Sequence, residues 1–200
     1  MALITLLILP LLAACYRSSG GNFVTYGSNR DNRNCADLIQ PATTRDADAQ
    51  SIVDRVDRAT VAARSLHGDL FLSSVFTSSQ IPPSGRFPVF EFTAKDKRAA
   101  TVGFHLYTDE PKAIESDPRG RTFSETELIT LDDLILGPSR AFSALQQEYP
   151  KGDIGTLVLV REDCRLAWRS RIVIPESAQK RVDFHPLVDN ETGQVTVPSR

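Results

Sequence analysis

Residues 155–175, GTLVLVREDCRLAWRSRIVIP, decide the fold because hydrophobic and basic residues alternate along their second half. The hydrophobic set is Leu166, Trp168, Ile172 and Ile174, and the basic set is Arg165, Arg169 and Arg171. Such alternation is typical of an antiparallel strand with one buried and one solvated face. The apolar first half predicts a second strand, and Glu162-Asp163 between them predicts a tight turn.

Three upstream stretches, residues 69–76, 86–94 and 99–108, share this β-branched and aromatic character and predict further strands. Alternation divides the side chains of the last two between opposite faces. One face receives Phe90, Phe92, Val102, Phe104 and Leu106, and the other receives Glu91, His105 and Tyr107. A turn is predicted between these two strands at Lys95-Asp96-Lys97.

Residues 46–66, DADAQSIVDRVDRATVAARSL, predict the main helix. Its apolar residues fall on one face at helical spacing; they are Ile52, Val53, Val56, Ala59, Ala63 and Leu66. Asp46 and Asp48 lie in the predicted first turn, where the helix dipole favours carboxylates. Gly68 is a stop signal.

An acidic interval, residues 109–133, separates the upstream strands from the final hairpin. Ser124 followed by Glu127 resembles a capping box and predicts a helix running toward Leu136. A second short helix is predicted over 139–148. The fold class is therefore α+β: one main N-terminal helix packed on an antiparallel β-sheet, with a helical insertion before the last two strands.

The chain begins with an apolar run over residues 2–14. This run is shorter than the roughly 20 residues that a membrane-spanning helix needs, and it predicts a signal peptide. A buried N-terminal strand or helix is the alternative. The predicted organisation is a signal peptide (1–15), an irregular N-terminal arm (16–45), a single α+β domain (46–175) and a loose polar C-terminal tail (176–200).

Leu12-Ala13-Ala14-Cys15, directly after the apolar run, resembles the lipobox of bacterial lipoproteins. That resemblance implies an acylated Cys15 at the mature N-terminus. Ordinary cleavage after Cys15, or before it without acylation, is the competing interpretation. The absence of Lys or Arg ahead of the apolar run favours a freely secreted protein.

The chain has three cysteines, an odd number for an exported protein. If Cys15 is acylated or removed, Cys35 and Cys164 remain as a pair, and an oxidising compartment favours a disulfide between them. Such a bond closes a loop of about 130 residues, for which chain entropy gives roughly 4–5 kcal/mol as an upper figure. Two buried free thiols are the alternative. Asn190-Glu191-Thr192 forms a glycosylation sequon if the source is eukaryotic.

No common catalytic or metal-binding motif occurs, and no cofactor or metal is predicted. The predicted sheet instead collects polar side chains on one face: Glu91, His105, Tyr107, Arg165, Arg169 and Arg171. This surface has three interpretations: a solvated face, a binding face for an anionic or acidic partner, or an acid–base site for a phosphate ester. Glu91 and His105 are the candidate catalytic residues, and Tyr107 with the three arginines are the candidate binding residues.

The stretch TLVLVREDCRLAWRSRIV, residues 156–173, resembles the paired strands of secreted fungal guanyl-specific ribonucleases and their ribonuclease-like effector relatives. The resemblance implies a signal peptide followed by a small, disulfide-bonded α+β domain. The catalytic residues of that family are not matched. Phe87-Pro88-Val89 stands where the family has Tyr-Pro-His, Leu157 lies near the family's arginine, and Ile172 lies near its late histidine. The resemblance therefore implies a non-catalytic effector.

Three functions follow from these patterns. The first is a secreted, disulfide-stabilised, non-catalytic binding protein, effector-like and with a ribonuclease-like scaffold. The second is a bacterial envelope lipoprotein acylated at Cys15, with its α+β domain in the periplasm. The third is a secreted RNA-cleaving hydrolase. The expected partner is a protein, with RNA or another anionic ligand at the arginines as the alternative, although the net charge of −2 favours no polyanion.

Overall fold

The computed structural model describes residues 39–77, 88–94, 98–105, 107–116, 129–162, 164–175 and 181–197. Within these ranges the chain forms two helices and nine strands. They are α1 (Ala47–Leu66), β1 (Phe71–Thr77), β2 (Val89–Thr93), β3 (Ala99–Phe104), β4 (Pro111–Ser116), α2 (Pro138–Glu148), β5 (Asp153–Glu162), β6 (Arg165–Pro175), β7 (Arg181–Phe184), β8 (Leu187–Asp189) and β9 (Val195–Thr196).

The strands form one antiparallel sheet in the order β4-β3-β2-β1-β5-β6-β8-β9, and β7 pairs with β6 next to β8. The prediction of an α+β fold with an antiparallel sheet is confirmed. The sheet is larger than predicted: the described residues contain nine strands where the sequence indicated five. The helices are α1 and α2, and no helix among the described residues is long and apolar enough to cross a membrane.

The hairpin predicted around Glu162-Asp163 joins β5 to β6 at the centre of this sheet. Leu159 pairs with Trp168 and also with Val75 of β1, so three strands contribute to one buried row. All three side chains are fully buried. Because side chains alternate along a strand, this register places the arginines of β6 on the opposite face.

The buried row belongs to a helix face, which is the side of the sheet packed against α1 and α2. Ile52 and Ala59 of α1 and Leu145 of α2 join the strand residues in one core. Phe90, Phe92 and Trp168 are the largest fully buried side chains there, and each contributes about 2–3 kcal/mol relative to an exposed position. We call the other side of the sheet the reverse face.

The N-termini of the two helices meet in a helix junction formed by Asp46, Asp48, Gly137 and Ser139. Asp46 is the N-cap of α1 and accepts a hydrogen bond from the Ala49 N–H (2.8 Å), while its second oxygen accepts one from the Gly137 N–H (2.8 Å). Asp48 accepts from the Ser139 N–H at 3.2 Å. Two carboxylates of α1 therefore supply acceptors and negative charge at both helix N-termini.

The C-terminal residues differ from their predicted organisation as a loose tail. Residues 181–196 contain β7, β8 and β9, and Val188 is fully buried. The physical reason lies in β6, whose second edge carries backbone groups that need hydrogen-bond partners. Strands β7 and β8 supply those partners to successive parts of β6.

The acidic interval also differs from its prediction. It contains β4, which pairs with β3 along its whole length. The predicted helix toward Leu136 is wrong for residues 129–136, which form no helix. Its proposed start at Ser124 and Glu127 lies outside the described residues. The second predicted helix is present as α2.

Candidate interaction surfaces

Arg165, Arg169 and Arg171 all lie on the reverse face of β6, as the alternation predicted. We call these three residues the arginine face. Arg165 begins the strand and Arg171 lies six residues further, so the set extends over about 20 Å. Arg169 sits between Val158 of β5 and Leu187 of β8.

Carboxylates neutralise two of these residues, Arg169 and Arg171. Arg171 donates from Nε and Nη2 to Asp183 of β7 at 2.9 and 2.6 Å, and Arg169 forms an ion pair with Glu162. The hydrogen bond from Arg171 is the main reason that the pKa of Asp183 is lowered; burial opposes it. An anionic partner that binds these arginines would therefore have to replace Asp183 and Glu162 in their ion pairs.

His185 follows β7 and adds an imidazole to this surface. Burial lowers its pKa, the nearby Asp183 acts in the opposite direction, and Arg169 and Arg171 lower it further. The neutral imidazole is therefore the favoured form at neutral pH. The sequence did not assign His185 to the arginine face, because its segment carries no strong strand pattern and was predicted to be a tail.

Glu91 and His105, the candidate catalytic residues, are not brought together. Glu91 pairs with Thr101 on β3, and His105 lies four residues beyond Thr101, which corresponds to about 13 Å along the strand. Three strand spacings separate β2 from β6, or about 14 Å. The predicted constellation is therefore distributed across the sheet.

Tyr107 lies in the β3–β4 turn (residues 105–110), where it is 87% exposed. Its ring contacts the His105 ring with the centroids 5.9 Å apart. Asp109, with a positive φ of 53°, fixes the turn to α1: Arg55 Nε donates to Oδ1 at 2.8 Å, and Arg58 Nη2 donates to Oδ2 at 2.5 Å. The turn is anchored to α1, and Tyr107 is exposed on it.

A third surface lies at the hairpin end, which we define as the end of the sheet containing the turn from β5 to β6. A cavity of about 290 Å³ opens there, lined by Gln40, Cys164, Arg165 and residues of the 189–191 turn. Cys164 is disulfide-bonded. Both Cys35 and Cys15 lie outside the described residues, so the pairing of Cys35 with Cys164 stays a prediction.

Asn190, the predicted sequon residue, lies beneath this cavity and is 3% exposed. Its Oδ1 accepts hydrogen bonds from the N–H groups of Ile135 (2.9 Å) and Leu136 (3.1 Å), and its Nδ2 donates to the Asp133 carbonyl at 2.7 Å. A glycan on Nδ2 would need space that this buried amide does not have in the folded domain. In the folded domain this side chain holds the segment that leads into α2.

The described residues include no group of three or more His, Cys, Asp or Glu side chains placed to hold a metal ion. Several of their polar clusters pair an arginine with a carboxylate. Such pairs can bind a charged or hydrogen-bonding partner by exchanging their own contacts.

Comparisons with known proteins found no matching family model and no matching curated protein. One solved structure is similar, the crystal structure of a "putative lipoprotein" from Clostridium difficile 630. The two chains are 15% identical, with a TM-score of 0.44, and the match covers 80% of this chain and 94% of the other. A similarity at this level supports no inference about function.

Proposed function

We propose that this chain is an exported, non-catalytic binding protein held at a membrane surface by an acylated Cys15. The observation that carries the proposal is the motif Leu12-Ala13-Ala14-Cys15, placed directly after an apolar run of signal-peptide length. Residues 16–38, between this motif and the described domain, are rich in Gly, Ser, Asn, Asp and Arg. Free secretion after loss of Cys15 is the competing outcome.

Binding is favoured over catalysis by the distribution of the reactive side chains. The geometry separates Glu91 from His105, whereas Arg169 and Arg171 of β6 lie near His185, which follows β7. We assign the partner to the arginine face and expect it to be a protein with an acidic surface. The ribonuclease-like effector interpretation concerns the same binding domain and stays a prediction.

The anchor is tested by fractionating cells that export the full chain. The wild-type protein is expected in the membrane fraction and the Cys15→Ser variant in the soluble fraction. Cys35→Ser is the matched control, because it removes a cysteine without removing the acylation site, and it should remain with membranes. A wild-type protein found in the soluble fraction would contradict the proposal.

The binding surface is tested with a poly-glutamate peptide and a single-stranded RNA as anionic probes. Arg169→Glu should weaken peptide binding at least several-fold, because it removes a cation and leaves Glu162 without its ion pair. Arg140→Glu, an equal charge change on the exposed side of α2, should bind like the wild type. Equal affinities of the two variants would show that the arginine face does not bind the peptide, and a loss of RNA binding alone would favour a nucleic-acid partner.

A further inference from the structure

His185 lies between β7 and β8, and both of these strands pair with β6 in one register. Strand β8 begins with Leu187 opposite Arg169, and the pairs of β7 continue the same register. Two residues before Leu187, His185 therefore lies opposite Arg171. Side chains opposite each other on neighbouring strands have their Cβ atoms about 5 Å apart. The register thus sets an imidazole beside a guanidinium group of the arginine face.

The neighbours of His185 along the chain fix the side of the sheet on which it lies. The ring of Phe184 contacts that of Tyr149 with the centroids 4.9 Å apart and packs against the core. Asp183 lies on the reverse face, where it accepts a hydrogen bond from Arg171 Nη2 at 2.6 Å. Because side chains alternate along extended backbone, His185 shares the reverse face with Asp183. Its side chain is partly buried there.

The surroundings of this imidazole contain more carboxylates than guanidinium groups. Among the side chains that the structure describes, the charged groups around it are Arg169 and Arg171 on β6, Asp183 on β7, and Glu162 and Asp153 on β5. While His185 is neutral, this cluster has one negative charge in excess. Protonation of His185 cancels that excess.

We infer that His185 makes partner binding at the arginine face depend on pH, with an acidic protein bound more tightly in mildly acidic solution. The inference rests on the binding function proposed for that face. Beside a neutral imidazole, the partner's carboxylates meet excess negative charge and compete with Asp183 for Arg171. A protonated imidazole donates to Asp183 or to the partner, so that Arg171 becomes available to the partner's carboxylates.

Protonation of His185 and binding of an acidic partner favour each other. Burial is the main reason that the pKa of His185 is lowered in the free domain. A bound carboxylate favours the charged imidazole and therefore raises this pKa. A proton is then taken up when the complex forms, and the affinity increases as the pH falls through the pKa of His185 in the complex.

The inference is tested by calorimetry with a poly-aspartate peptide at about pH 5.5 and about pH 7.5, a range in which an imidazole changes its charge. The carboxylates of the peptide, with an ordinary pKa of about 3.9, stay ionised throughout. The wild-type domain should bind about fivefold more tightly at the lower pH, and His185→Gln should lose this dependence. His105→Gln is the matched control, because it removes a histidine from the β3–β4 turn, and it should keep the dependence.

Titration in two buffers of different ionisation enthalpy adds a second measurement, because proton uptake should accompany binding to the wild type and disappear in His185→Gln. His185→Lys carries a lasting charge and should bind at the higher pH about as tightly as the wild type does at the lower pH. Equal wild-type affinities at the two pH values, or a pH dependence retained by His185→Gln, would overturn the inference. If Arg169→Glu still weakens binding in that case, the proposed binding face stands and only the role of His185 fails, whereas a wild type that binds at neither pH rejects both.

Discussion

Two aspartates in this domain each join α1 to another element, but by different means. Asp46 accepts hydrogen bonds from two backbone N–H groups in the partly buried helix junction. Asp109 accepts from the guanidinium groups of Arg55 and Arg58 near the surface, where its side chain is 40% exposed. Backbone donors are already fixed by the helices, whereas each arginine loses side-chain entropy and exchanges a well-solvated state for the pair.

The comparison shows that burial and donor type decide what an acidic or amide side chain contributes to stability. Around the helix junction, polar groups satisfy backbone atoms that water cannot reach, so their removal leaves those atoms unpaired. At the β3–β4 turn, water replaces whatever is removed. Substitutions near the junction should therefore cost much more than substitutions at the turn.

The largest effect is expected for Asn190→Ala, because it leaves the N–H groups of Ile135 and Leu136 without their acceptor. Chemical denaturation should show a loss of about 3–5 kcal/mol in the free energy of unfolding. Gln194→Ala, an exposed position in the same turn region, should change it by less than about 0.5 kcal/mol. Similar losses for the two variants would show that the amide of Asn190 does not hold the junction.

The second-largest loss of stability is expected for Gly137→Ala, because the backbone at Gly137 lies too close to α1 to leave room for a side chain. A Cβ at Gly137 would lie 2.6 Å from the Ala49 nitrogen and closer still to the Asp48 Cβ. Thermal unfolding should show a loss of about 2–3 kcal/mol in the free energy of unfolding. Gly68→Ala is the matched control, since no atom lies within 4 Å of its added Cβ. A neutral Gly137→Ala would mean that the helices approach less closely than described.

Asp46→Ala should cost about 1–2 kcal/mol, because it removes the N-cap of α1 and the acceptor for the Gly137 N–H. Asp54→Ala provides the comparison within the same helix. Asp54 is exposed and accepts only from Gln50 Nε2 (2.7 Å) among its described contacts, so its loss should cost less than about 0.5 kcal/mol. Urea titrations measure the two free energies of unfolding. Equal losses for Asp46→Ala and Asp54→Ala would show that an aspartate at the helix junction stabilises the domain no more than one on the solvated surface of α1.

The smallest effect is expected for Asp109→Asn, below about 1 kcal/mol at neutral pH. The hydrogen bond from Arg58 is the main cause of the lowered pKa of Asp109, with burial acting against it and Arg55 reinforcing it. A folded-state pKa below the unfolded value means that the stabilisation is present above the unfolded pKa and is lost as pH falls through the folded pKa.

Denaturation of wild type and Asp109→Asn at several pH values checks this dependence. The difference between them should be largest near neutral pH and should disappear in strong acid. A difference that grows as the pH falls would contradict the assigned ion pairs. A loss as large as that of Asp46→Ala would contradict the comparison between the two aspartates.

Alternation within single strands was enough to predict much of the sheet. Trp168 and Arg169 were assigned to opposite faces of β6 because neighbouring side chains in a strand must diverge. The α1 boundaries followed from Asp46, Gly68 and the apolar spacing between them. These signals are local, so a single sequence carries them.

The junction and the arrangement of the surface residues depend on contacts between distant parts of the chain. Asn190 resembles a sequon in the sequence, and its role follows only from its hydrogen bonds to residues 133–136. Strands of two to four residues, such as β7 and β9, are too short for a visible period. The order of the strands in the sheet also cannot be read from a single sequence. For that reason the prediction places Glu91 and His105 together with the arginines of β6, although β2 and β6 are three strands apart.

The central claim, export followed by anchoring through Cys15, is tested most directly by the intact mass of the mature protein purified from the membrane fraction. The account predicts that the chain begins at Cys15 and carries the additional mass of two or three acyl chains. A mature protein that begins at unmodified Tyr16 would contradict it.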